Sequence, residues 1–198
     1  MNSRNLFYVR NLQTKFYFKK NEIVRSLFFL ENYLFNLPNQ IEENLVVKVK
    51  LKWIYEQIKD NNYTNEITLN LKVFRDLILQ KKILNVIELF SDIIDKKQPD
   101  KIFSAFKKFN SVFNSIIAHS DSNFVTSDYF QFFQYIYKSN FQNIDYLKKN
   151  LPSIRINTID SFEYVFVKVF FKSYILKKKK PSKTIYLFYL LVCFLKND

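Results

Sequence analysis

At 198 residues, with 48% apolar and 19% aromatic residues, the chain is long and hydrophobic enough to bury a substantial core, which excludes a disordered polymer. The formal net charge of +13 points to an anionic partner or to the Lys- and Asn-rich drift of an A/T-rich genome, and arginine stands only at Arg4, Arg10, Arg25, Arg75 and Arg155. Glycine is absent, so phosphate-cradling loops and dinucleotide fingerprints, which bring backbone amides against phosphate, are excluded.

The simplest organisation is one domain over residues 1–198, since no repeat, linker or proline-rich tract divides it. The first 21 residues hold no acid and carry Arg4, Arg10, Lys15, Lys19 and Lys20. That stretch reads as a mitochondrial presequence or as the first helix of the fold. Leu27, Leu30 and Leu34 then mark a helix that Pro38 is expected to end, because proline pushes the preceding residue out of the α region. Val47, Val49, Leu51 and Trp53 alternate with Lys48, Lys50 and Lys52, which is strand periodicity.

Residues 69–82 and 83–94 read as two amphipathic helices. Pro99 suits the first turn of the next helix, whose stripe is Ile102, Phe106, Phe109, Phe113 and Ile116, with Lys107, Lys108 and Asn114 off it. Ser127 and Asp128 are placed to cap a helix through Phe132, Tyr135 and Ile136. Further helices are expected over 141–150, 159–176 and 182–196, although residues 164–171 carry the β-branched and aromatic composition of a strand. The absence of glycine pushes the connections onto Asn and Asp.

The one cysteine, Cys193, excludes an internal disulfide or a thiolate metal cluster and reads as a buried inert thiol. The lone His119 reads as a surface or capping residue rather than a ligand or base. The longest uncharged apolar run, 185–195, falls short of the roughly 20 residues that span a bilayer.

Several segments, taken in order, resemble the squalene/phytoene synthase family. Arg25 precedes Leu27, Phe28, Phe29, Leu30 and Tyr33, like that family's arginine and apolar-aromatic run. Residues 49–58, VKLKWIYEQI, are similar to its I-R-L-x-W-W-R-[DE]-x-I segment through Lys50, Trp53 and Glu56, with Lys for Arg and the second Trp lost. Ile93, Ile94, Asp95, Lys96 and Lys97 resemble L-I-D-x-R, and Phe106 with Asn110 and Ser111 resembles an aromatic followed by a Thr-Ser pair. Residues 147–152, LKKNLP, ending in Leu151 and Pro152, resemble L-L-R-x-L-P. The matches run over residues 12–155 and are closest to the branch linked to assembly of respiratory complex I; the part after Pro152, residues 159–198, is shortened relative to the family.

The resemblance implies an all-α, isoprenoid-synthase-type fold and decides both strand-like segments as helical. Catalytic members join prenyl diphosphates by holding magnesium between two aspartate-rich clusters on facing helices. The first cluster belongs near residues 37–43, where Pro38, Asn39, Gln40, Glu42 and Glu43 stand, with Pro38 expected to break the helix. The second belongs near residues 149–154, where Asn150 and Ser153 stand. Asp92, Asp95 and Asp100 lie off the motif positions and read as solvated helix-end acids.

The expectation is therefore a pseudoenzyme with no metal or cofactor: a scaffold for respiratory complex I assembly, partnered by a complex subunit. It would sit peripherally at the cytoplasmic face of a bacterial inner membrane or in the mitochondrial matrix. Arg25, Lys50, Trp53, Glu56, Leu151 and Pro152 are the retained family residues, and Lys177, Lys178, Lys179 and Lys180 are the candidate contact to an anionic membrane surface. The alternatives are a residual prenyl-diphosphate binder or head-to-head prenyl transferase, and a basic helical nucleic-acid binder. Against the last stands the placing of most aromatics at core spacing rather than on a basic track.

Overall fold

The computed structural model describes residues 6–121 and 183–196, together with Phe162, Glu163, Val165 and Val169. Its elements are α1 (Leu6–Phe16), α2 (Glu22–Gln40), α3 (Asn44–Lys59), the single turn α4 (Glu66–Leu69), a 3-10 turn (Lys72–Arg75), α5 (Leu77–Ile94), α6 (Pro99–Ser120) and α7 (Lys183–Lys196). The described chain is all-helical. The alternating stretch from Val47 to Trp53 lies inside α3, and Val165 and Val169 are helical too. The helices expected between residues 127 and 150 lie outside the described residues.

The chain forms two compact units, one of Thr14–Asn123 and one of Asn2–Gln13 with Phe124–Asp198. In the first, α5 and α6 form a hairpin against which α2 and α3 pack. The stripe expected on α6 is the centre of this core: Phe106, Phe109, Phe113 and Ile116 are fully buried and Ile102 nearly so. Phe35 of α2 reaches into it edge-on to Phe90 at 5.1 Å and stacked on Phe106 at 5.8 Å. Phe28 stacks on Phe113 at 6.2 Å, and Phe109 stacks on Phe113 at 5.8 Å. Rings this close add to the area term through favourable quadrupole geometry. The core is thus built from phenylalanines that interlock across three helices.

With no glycine available, Asn and Asp carry the helix ends. Asn21 accepts from the Val24 amide at α2, and Asp76 accepts from the Ile78 and Leu79 amides at α5. Asn65 and Thr68 form a reciprocal capping box on α4. Asn61 takes the left-handed φ of 55° just past α3, where glycine is the common choice. There the Asn61 amide donates to the Ile58 carbonyl and the Asn62 amide to the Gln57 carbonyl, closing a Schellman motif. The buried amide of Gln80 adds a tertiary cap, donating from α5 to the Ile58 carbonyl at 2.8 Å and to Asn61 Oδ1 at 3.2 Å.

Two boundaries depart from expectation. Pro38 does not end α2, which continues to Gln40. The missing proline N–H removes the α-helical donor for the carbonyl of Leu34, four residues earlier, and the helix continues in spite of it. Asn39 Nδ2 donates to the Phe35 carbonyl and the Ile41 amide to the Leu37 carbonyl, while buried Leu37 holds the turn to the core. Residues 69–82 are not one helix either. Asp76 caps a new helix, so α5 runs unbroken through residues 82 and 83, and Leu71 and Phe74 are buried within the preceding turns.

In the second unit Arg10 and Glu163 form a buried ion pair at 2.6 Å, with side chains 1% and 0% exposed. Gln13, also buried, accepts from Arg10 Nη1 at 2.9 Å and donates to Glu163 Oε1 at 3.1 Å. Phe162, Val165 and Val169 are buried near Glu163 in sequence, and the Tyr186 hydroxyl of α7 donates to the Phe162 carbonyl at 3.1 Å.

Candidate functional site

Three of the expected site residues, Lys50, Trp53 and Glu56, stand on α3. Val47, Leu51, Ile54 and Ile58 are buried, at three- and four-residue spacing on one face. Leu45, Val49 and Trp53, spaced four apart, lie about half a turn round from that face. They are exposed at 72%, 62% and 43%, and Val46 beside them at 45%. Lys48 and Lys52 border this ridge on one side and Lys50 on the other. The lysines that suggested a strand therefore bracket an apolar ridge on a helix.

A groove of about 530 Å³ runs between α3 and α5, lined by Lys48, Leu51, Lys52, Tyr55, Lys59 and Ile87, with Glu56, Glu88 and Ser91. Its charges are largely answered locally. Lys48 pairs with Asp95, and Lys59 stands 3.8 Å from Glu56. Desolvation, a hydrogen bond to Glu88 and the Glu88 charge hold the Tyr55 phenol above its ordinary pKa, so it stays a neutral donor. Lys50 and Trp53 do not line this groove, and neither does Arg25, which sits exposed on α2 with its guanidinium donating to the Lys19 carbonyl at 3.5 Å.

The acids are spread along helix ends. Asn39 is a helix-end donor, with Glu42 and Glu43 exposed beyond it. Asp92, Asp95 and Asp100 are exposed around the α5–α6 turn, with Asp100 in the first turn of α6, where the helix dipole favours an acid. Among the described residues no three His, Cys, Asp or Glu side chains are grouped to hold a metal ion. His119 is exposed in the last turn of α6.

A second apolar surface belongs to α7. Tyr186 and Leu190 are buried, whereas Ile185, Leu187, Phe188 and Leu191 are exposed at 43%, 39%, 63% and 59%. No charged residue falls between Lys183 and Lys196. The helix is apolar on both sides, and no described helix is long and apolar enough to cross a membrane. Lys177, Lys178, Lys179 and Lys180 lie outside the described residues, as do Leu151, Pro152 and the side chain of Cys193.

Sequence reasoning named Lys50, Trp53 and Glu56 as family residues and did not name the ridge made by Leu45, Val46 and Val49. The signal was there: at helical rather than strand period, residues 45, 49 and 53 separate from 47, 51, 54 and 58. Compared with protein-family models, curated proteins and solved structures, the chain matches none of them.

Proposed function

We propose that this chain is a non-catalytic helical scaffold that works by docking. The observation that carries the reading is the outward face of α7, where Ile185, Leu187, Phe188 and Leu191 stand exposed with no charge among them. Aromatic and aliphatic side chains without charged neighbours are the composition of a protein–protein interface core. A contiguous exposed apolar face of this kind is costly to leave in water.

The packing of the first unit favours docking over prenyl-diphosphate chemistry. A prenyl chain needs an apolar channel between helices, and Phe35, Phe90, Phe106, Phe109 and Phe113 occupy the space between α2, α5 and α6. Asn39 is engaged with the α2 backbone instead of facing a diphosphate. The specific setting, a squalene/phytoene synthase-like pseudoenzyme in respiratory complex I assembly at the inner membrane, rests on the ordered residue matches from Arg25 to Pro152.

In cells that lack the chain, complex I subcomplexes are expected to accumulate on native gels. The wild-type chain restores the mature complex and Phe188→Asp does not. Phe188 is 63% exposed, so the substitution leaves the core intact. Normal complex I in the absence of the chain, or full rescue by Phe188→Asp, contradicts the reading.

A further inference from the structure

We infer that the α3 ridge of Leu45, Val49 and Trp53 is a contact site for an anionic lipid surface. The inference takes from the preceding reading only its peripheral membrane setting and is independent of complex I. Three features of the ridge select lipid over other occupants.

The first is its form. The ridge stands on the crest of one helix and spans about 12 Å along it. None of Leu45, Val49 and Trp53 lines the groove between α3 and α5. A partner helix seats in a groove, whereas a convex crest fits a surface that yields around it, as the headgroup layer does.

The second is its charge. Lys52 on one flank and Lys50 on the other place ammonium groups beside apolar side chains, while Lys48, on the flank of Lys52, is already paired with Asp95. Long lysine stems cover apolar surface while their heads stay at the level of water and phosphate. This arrangement attracts anionic headgroups as the apolar stripe enters the interface. It also disfavours a second copy of the chain, because two such ridges face to face would oppose their lysines. Glu56, on the same side one turn beyond Trp53 and two beyond Val49, is partly offset by Lys59. Glu42 and Glu43 lie before the helix and define the end of the ridge.

The third is Trp53, whose indole is 43% exposed. Its apolar ring and N–H suit the boundary between acyl chains and headgroups. The contrast with α7 is one of charge: its exposed face has no lysine bracket among residues 184–195.

Trp53 is the only tryptophan, so its emission reports on this site alone. The test adds vesicles of phosphatidylcholine, with and without phosphatidylglycerol, to the full chain and measures emission and flotation. Binding and a blue shift are expected with the anionic vesicles and not with the neutral ones. Brominated lipid should quench Trp53. Val49→Asp and the pair Lys50→Glu with Lys52→Glu are expected to weaken binding at least tenfold, and Phe188→Asp to leave it unchanged. Val49 is 62% exposed, so its variant keeps the fold, and an unchanged circular dichroism spectrum verifies that.

No binding overturns the inference, as does equal binding to neutral vesicles. Binding that survives Val49→Asp with unshifted Trp53 emission assigns the contact to another surface. A lipid-free blue shift that grows with protein concentration assigns the ridge to a second copy and overturns it as well. Each of these outcomes leaves the complex I reading standing, since that reading is tested by rescue with Phe188→Asp.

Discussion

Glu163→Ala is expected to lower stability by about 3–5 kcal/mol, because it leaves the Arg10 guanidinium buried at 1% exposure without its carboxylate. The pair joins α1 to a helical residue 153 positions away, and Gln13 bonds both members. Removing one partner costs more than removing both. Arg10→Met with Glu163→Leu, which replaces the pair with apolar groups of similar volume, is therefore expected to be near neutral. Glu163→Gln should fall between them, since its amide keeps an acceptor for Arg10 but loses the charge. Urea unfolding followed by far-ultraviolet circular dichroism measures all three. Equal losses for Glu163→Ala and the double variant would show that the pair contributes through packing alone.

Phe109→Ala should cost a similar amount, about 3–5 kcal/mol, in the first unit. Phe109 is fully buried, and its ring lies 5.8–6.4 Å from those of Phe113, Phe90, Phe35 and Phe106. Truncation removes the transfer term, opens a cavity between α2, α5 and α6, and deletes several ring contacts at once. Phe109→Leu keeps most of the volume and should lose less than half as much. Trp53 lies in the same unit, so its fluorescence during denaturation follows this loss. A total stability of about 5–15 kcal/mol for a domain makes the alanine variant marginal. A shift below about 1 kcal/mol would mean that the aromatic stack is not the core's main support.

The α6 stripe was legible in the sequence because it depends on local periodicity, whereas periodicity alone left residues 47–53 and 164–171 strand-like. Ile102, Phe106, Phe109, Phe113 and Ile116 repeat at three and four residues, and Pro99 marks the start. The ends of α2 and α5 were harder to read. Pro38 is a helix breaker by local chemistry, yet α2 runs two residues past it where buried Leu37 holds the turn to the core, which local chemistry does not show. Asp76 is a capping signal that, beside Arg75, reads as one charged pair on the outer face of a continuous helix.

The α3 surface shows how two periods can share one stretch. Valine and lysine alternate from Val47 to Trp53 as in a strand, yet the same residues split cleanly into buried and exposed helical faces. The Arg10–Gln13–Glu163 cluster was not legible at all, since its members lie about 150 residues apart. Gln80 as a cap for α3 is invisible for the same reason: its value arises only where α5 passes the end of another helix.

The central claim is that this helical fold docks without performing diphosphate chemistry. Isothermal titration of the full chain with farnesyl diphosphate and magnesium tests it most directly. The account predicts no magnesium-dependent heat of binding, because Asn39 is committed to the α2 backbone and phenylalanines fill the space between α2, α5 and α6. Tight binding that requires magnesium would contradict it.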